Sequence, residues 1–513
     1  MTSLKADLVL SNARVLTLDP AHPRAGAVAI RGQRILAVGD AAALETVTGP
    51  GTHSLDLAGA TVVPGFNDAH CHLLGLVQAL LSLDVSSAGS IPEIQRLLRR
   101  RAGEVASGDW IVATGYDDFQ LREGRHPHRR DLDEAAPHHP VRLLHRTGHA
   151  WTLNSLALEW LGIGIDTEEP PGGLMERELD TGEPSGVFFG MADFLRERLP
   201  PLGEAELREG VSRASAAFLE AGITSIQDTS QASGPEQWHL FRRLKQEGYL
   251  RPRLTMMVGF PHMDLLADAP ISEPPGEEHL RLWAVKLVLE EVTGQLYPSL
   301  EELEAQVAQA HSRGYPVAVH AVEQAAVEAA TAALERVLGD SPRPHRHRIE
   351  HCAECPPPLQ QRLARLGVTV VTQPSFIYYR GDKYLSQVSP EVLPYLYPTG
   401  SLLRAGLRVA GSSDAPVVPI SPLTGIYAAV TRRTEGGGVV APDEAVSPEE
   451  ALALYTTGAA HAAAEEGAKG SIAPGKLADL AVLSADPTAV PPEEIMDIRV
   501  TMTILGGQVV WSG

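Results

Sequence analysis

Val62-Val63-Pro64-Gly65-Phe66-Asn67-Asp68-Ala69-His70-Cys71-His72-Leu73 is the stretch on which the fold turns. A short apolar strand ends in two histidines spaced by two. Strand side chains alternate in direction, so His70 and His72 are expected on one face and Cys71 on the other. Two neutral imidazoles side by side make half of a zinc site. An isolated pair of this kind is commonly incidental, so its meaning depends on the rest of the chain.

Downstream, apolar strand candidates recur at 282–289, 316–322, 346–350, 368–372 and 407–412, with helical stretches between them. Ser299, with Glu302 three residues on, has the signature of a helix start, and that helix runs through Leu303, Val307 and Ala310 to Gly314. Repeated strand-helix-strand order implies a parallel sheet. Lys286, His320, His351 and Asp414 fall in or at the ends of these strands, separated by 34, 31 and 63 residues. Those spacings are one, one and two βα units of roughly 30 residues. In a (β/α)₈ barrel the C-terminal strand ends converge, so this spacing can bring His70, His72, Lys286, His320, His351 and Asp414 together. The 214 residues between His72 and Lys286 exceed three plain units and predict an insertion, placed at about 110–186, where Pro, Gly and His are frequent.

Both ends of the chain read differently, as short strands with turns. Candidates are 8–10, 14–18, 27–31, 33–38, 54–56 and 61–63 at the start, with a hairpin turn at Gly32-Gln33. At the end they are 470–472, 478–483, 501–505 and 508–511. Strand-rich ends around a different middle suggest that both termini build one small sheet domain. The expected organisation is therefore 1–61 and 469–513 around a barrel at 62–468.

The chain has 513 residues, 44% hydrophobic and 21% charged, with a formal net charge of −21. That sign argues against nucleic acid or an anionic membrane surface as the main partner. No apolar run reaches the roughly 18 residues that cross a bilayer, and the N-terminus lacks the pattern of a secretory signal. Three cysteines cannot build a disulfide framework. Cys352 and Cys355 form a C-x-x-C without a second pair, so a structural zinc is not expected there. A cytoplasmic enzyme is the expectation.

The chain resembles the amidohydrolase superfamily, and within it the YtcJ-like branch that includes N-substituted formamide deformylases. Carrying the resemblance are 64–72, the segment 142–154 with Gly148-His149, Gly222-Ile223-Thr224-Ser225-Ile226, Val319-His320-Ala321, and Arg346-His347-Arg348-Ile349-Glu350-His351. Gln373-Pro374, Gly411-Ser412-Ser413-Asp414-Ala415-Pro416 and the close at 470–480 add to it. The resemblance implies an α/β fold, a TIM barrel with a composite β-sandwich from both termini. It also implies one metal on His70, His72 and Asp414 and a second on His320 and His351, with Lys286 bridging them as a carboxylated lysine. A lysine neutralised by burial near cations can react with carbon dioxide to give such an oxygen donor.

The function expected is zinc-dependent hydrolysis, with one or two ions, of a non-peptide carbon–nitrogen bond, an N-acyl or N-formyl amide. Asp414 is the expected general base and acid. Rival substrates are a cyclic amide, a carbamate, an ester or an amino-heterocycle. The rival from another class is a metal- or ligand-binding barrel without turnover, which would need no proton-transfer carboxylate. His149, Trp151, Tyr116, Glu290 and Gln373 are the candidate substrate contacts. His345 and His347 share strand parity with His351 but are read as supporting residues. Glu290, Glu291, Glu323 and Gln324 follow the strands of Lys286 and His320, which predicts a locally negative mouth favouring cationic substrates. The expected partner is a small-molecule substrate; a homo-oligomer is compatible with this chemistry.

Overall fold

The computed structural model describes residues 5–267, 279–292, 295–339 and 345–513. It divides into two compact units, one of 1–72, 215–414 and 418–513, the other of 73–214 with 415–417. No helix among the described residues is long and apolar enough to cross a membrane.

The first unit holds eight parallel strands in one sheet, in chain order β1 (Phe66–Cys71), β2 (Ile223–Asp228), β3 (Arg253–Gly259), β4 (Leu280–Val288), β5 (Val317–Ala321), β6 (Arg348–His351), β7 (Thr369–Thr372) and β8 (Arg408–Gly411). Each pairs with its sequence neighbour. The ring closes between β8 and β1, where Asp414 N donates to His70 O at 2.8 Å and Ser413 N donates to Asp68 Oδ1 at 3.0 Å. This is the TIM barrel. Helices lie between strands as the periodicity requires: Leu300–Ser312, for example, starts on a capping box in which Ser299 Oγ accepts from Glu302 N.

Two further sheets of the same unit come from the ends of the chain, the first from the N-terminal segment alone and the second from both. One orders Arg34–Gly39, Ala27–Arg31, Leu8–Ser11 and His53–Asp56; the other orders Gln508–Ser512, Val500–Leu505, Leu480–Leu483, Thr61–Pro64, Arg14–Leu16 and Arg24–Ala25. Arg31 pairs with Arg34, which leaves Gly32-Gln33 as a two-residue hairpin turn. The interior joins Leu10, Val28, Ile30 and Val62 from the start of the chain to Ile472, Leu480, Val482 and Ile504 from its end. Neither terminus could cover that apolar face alone. Residues 470–472 are not a strand, contrary to the sequence reading; Ile472 N makes one backbone link, to Thr17 O at 2.7 Å, too little for a ladder.

Thr61–Pro64 passes directly into β1 through Gly65. A Cβ at Gly65 would lie 2.4 Å from Thr224 Oγ1, so only glycine lets the chain enter the barrel here. The first residue of β3, Arg253, makes a buried two-pronged pair with Asp479 at 2.6 and 3.0 Å, fastening the barrel to the terminal sheets.

The second unit enters the chain immediately after His72, and the stretch 110–186 forms part of it. Its six-stranded mixed sheet orders Leu174–Arg177, Pro184–Phe189, Ala150–Leu153, Val141–His145, Ile111–Tyr116 and Leu83–Asp84. Asn154 caps the helix Ser155–Leu161 and also accepts from Val141 N, so one side chain joins the helix to the strand Val141–His145.

Candidate metal centre

His70 sits in β1 and is fully buried; His72 follows the strand's last residue and is half-buried. Strict alternation does not hold at this point. The pairing of β1 with β2 shifts between Asp68 and Cys71, yet the two rings still converge, 5.3 Å apart. His70 Nε2 and His72 Nε2 stand 3.5 and 3.2 Å from Asp414 Oδ1. The three residues present ligand atoms all within 4.8 Å of one another.

Asp414 lies past β8 with φ +56°, a left-handed residue held by its bond to His70 O. Burial alone would raise its carboxyl. The imidazoles of His72, His70 and His351 beside it override that and hold it well below the usual range.

His351 closes β6, also at positive φ, +68°, and Cys352 follows at +51°. Its ring is 4.8 Å from that of His70 and 4.4 Å from that of His320 in β5. Its Nδ1 lies 2.8 Å from Gln373 Oε1, while Gln373 Nε2 donates to Ser412 Oγ at 3.0 Å. Both polar ends of Gln373 are thus engaged within the barrel, so it meets His351 rather than an open surface. Lys286, in β4, is buried. Burial pushes its amine down to about 8, against the opposing pull of the Glu350 carboxylate. Burial likewise lowers His70, with the Lys286 charge adding to it, and lowers His351.

Four donor atoms here are buried with no hydrogen-bond partner: His70 Nε2, His351 Nε2, Lys286 Nζ and Asp414 Oδ1. Buried polar atoms are ordinarily satisfied, and leaving one unmade costs about 1–3 kcal/mol. Four such atoms beside the neighbouring imidazoles fit a divalent cation. His72 is held from behind by Ser230 Oγ, 3.2 Å from Nδ1. Sequence reasoning missed this partner, along with Asp68, Arg348 and Glu350; the signal was present in the charged pair Arg348 and Glu350, which an apolar barrel strand does not need.

The other candidate residues are placed as follows. Glu290 opens a short hairpin, Glu290–Val292 with Gln295–Tyr297, after β4; the side chain of Glu291 lies outside the described residues, as do Thr293 and Gly294. Glu323 is the N-cap of the helix Gln324–Leu338, and Gln324 N donates to Glu354 Oε2 at 3.1 Å. In the second unit, Tyr116 is buried with its hydroxyl 2.9 Å from His126 Nδ1. Trp151 is buried, donates to Gly148 O at 2.8 Å and lies under the Arg142 guanidinium. His149 is exposed. Asp117, Asp118 and His145 form another donor group, but Arg146 Nη1 lies 3.4 Å from Asp117 Oδ2, a resident cation that disfavours a second one. Cys352 and Cys355 are free and buried.

A parallel eight-stranded barrel with histidines and a carboxylate gathered at its C-terminal strand ends defines a metal-dependent hydrolase. The chain belongs to the amidohydrolase family, whose model matches residues 54–511. It is 30% identical to the N-substituted formamide deformylase of Arthrobacter pascens, over 99% of this chain and 98% of that one. It is 28% identical to the protein YtcJ of Bacillus subtilis, over 90% and 91% of the two chains. An uncharacterized metal-dependent hydrolase from Pyrococcus horikoshii OT3 superposes with a TM-score of 0.74 at 24% identity, covering 95% of this chain and 99% of its own, which shows the shared fold.

Proposed function

We propose that this hydrolase cleaves the carbon–nitrogen bond of a small non-peptide amide, an N-acyl or N-formyl amide, at a centre of one or two zinc ions. His70, His72 and Asp414 would hold one ion, His320 and His351 a second, with Lys286 between them. The observation that carries the reading is the set of four buried donor atoms without partners. What zinc supplies when bound is Lewis acidity toward the substrate carbonyl and toward water.

The chain's own residues do the rest. Asp414, held ionised by its histidine neighbours, accepts the proton of the attacking water and returns it to the leaving amine. Lys286, its amine lowered to about 8, has a neutral fraction near neutral pH that can add to carbon dioxide. A nitrogen–carbon bond forms and one proton is released, leaving a carboxylate where the amine was. Of the candidate substrate contacts in the barrel's own unit, Glu290, which follows the end of β4, suits that role. The likeness to a formamide deformylase over nearly the whole chain supports the amide assignment.

The test is metal analysis of the mildly purified protein, followed by a panel of formamides, esters and aminopurines assayed with zinc present. One to two equivalents of zinc and turnover of formamides are expected. A protein that neither carries nor binds zinc would end the metal reading, and turnover confined to esters or aminopurines would end the amide one.

A further inference from the structure

Glu350, the residue before His351, is fully buried and approaches His70 Nδ1 at 2.5 Å with its Oε2. Arg348, two residues earlier and equally buried, clamps the same carboxylate through Nε to Oε1 and through Nη2 to Oε2. The remaining donors of Arg348 reach Gln227 Oε1 at 2.6 Å and Ala69 O at 2.7 Å. Gln227 is on β2 and Ala69 on β1, four and three positions round the closed ring from β6, so this network crosses the barrel interior. An ion pair so deep is expensive to desolvate and is a poor source of stability for its own sake.

Its consequence falls on His70. An ionised carboxylate only accepts, so the proton of a neutral His70 must sit on Nδ1, and the lone pair on Nε2. That Nε2 is the atom facing Asp414 without a hydrogen-bond partner. The backbone makes the double use of β6 feasible: the positive φ at His351 breaks strand alternation, so Glu350 and His351, adjacent in sequence, both serve the barrel mouth.

We propose that Glu350, clamped by Arg348, is the positioning residue that fixes His70 as its Nδ1–H tautomer and thereby tightens metal binding at the Nε2 side. The role rests on the metal reading above. Oxygen partners behind metal-ligating histidines act in this way, and their removal weakens metal binding by roughly 10–100-fold.

The experiment compares zinc affinity by chelator competition in the wild type, Glu350→Leu, and the double variant Arg348→Leu with Glu350→Leu, which also removes the cation that the single change would strand. Beside it, ¹⁵N-histidine spectra of the metal-stripped wild type read the tautomer of His70, assigned through His70→Gln. Zinc affinity lower by roughly 10–100-fold in a folded variant, with a His70 Nδ1–H signal in the wild type, is the expected result. Wild-type affinity in a folded variant overturns the proposal, as does an Nε2–H tautomer at His70. If neither variant folds, the wild-type tautomer decides alone. Absence of zinc binding by the wild type would instead sink the metal reading, with the tautomer still measurable.

Discussion

Two groups of histidines sit at opposite ends of the barrel, and they differ in what the protein has left on their nitrogens. At the C-terminal ends, His70 and His351 have one nitrogen engaged, by Glu350 and Gln373, and Nε2 without a partner. At the N-terminal end of β6, His345 and His347 have both nitrogens engaged. His347 Nδ1 accepts from Val317 N at 3.0 Å, its Nε2 lies 2.8 Å from His311 Nδ1, and His345 joins His347 N to Leu366 O. A backbone N–H facing Nδ1 forces the proton of His345 and His347 to Nε2, where each has an acceptor. The residue type is the same in both places. A histidine can serve as a ligand where its lone pair is not already used.

The largest expected effect is at Asp414. Asp414→Asn keeps the size of the side chain but cannot take a proton, so kcat should fall by roughly 10²–10⁴-fold with an unchanged circular dichroism spectrum. An unaltered kcat would remove Asp414 from the chemistry and leave it a packing residue like those at the other end.

Next comes Lys286→Ala, which should lose one metal while keeping the other, with short carboxylates restoring part of the activity. A density map with a bare amine on Lys286 and a single ion on His70, His72, His320 and Asp414 would replace the two-metal centre with a mononuclear one.

At the opposite end, His347→Gln should leave metal content untouched and lower stability by about 1–3 kcal/mol, read by denaturant unfolding. This site also predicts a pH dependence. Burial, together with His345 and His311, pushes the His347 imidazole down to about 3, below its ordinary 6.5. The unfolded chain therefore binds this proton first: the stability is fully present above pH 6.5 and is lost as pH falls toward 3, at about 1.4 kcal/mol per pH unit. The variant should show a shallower acid loss than the wild type over that window. Equal slopes would show that His347 is not held neutral, and a loss of metal in the variant would erase the distinction between the two ends.

The smallest effect expected is on substrate charge. Glu290 and Glu323 follow β4 and β5, so an amide bearing a cationic substituent should show a modestly higher kcat/KM than its anionic twin, more so at low salt. Preference for the anion would show that these carboxylates do not face the substrate.

Much of this architecture was legible in the chain. Strands 282–289, 316–322, 368–372 and 407–412 each fall within two residues of β4, β5, β7 and β8, because apolar runs separated by capped helices are local patterns. The hairpin at Gly32-Gln33 was legible for the same reason. Residues 470–472 misled because an apolar residue among glycines looks like a strand end, whereas pairing depends on a partner elsewhere. Gln373, a candidate substrate contact from its position after β7, also bonds to His351 and Ser412, links that no local pattern shows.

By itself, the sequence determined which residues could reach the barrel mouth: the spacing of Lys286, His320, His351 and Asp414 counts βα units, and that count survives any detail of packing. Only the tertiary structure decided which of their atoms remain unused. Glu350 and His70 are 280 residues apart. Whether a histidine's lone pair is spent on a backbone N–H or left for an ion depends on such distant neighbours, and on backbone turns like the positive φ at His351, which no local pattern encodes.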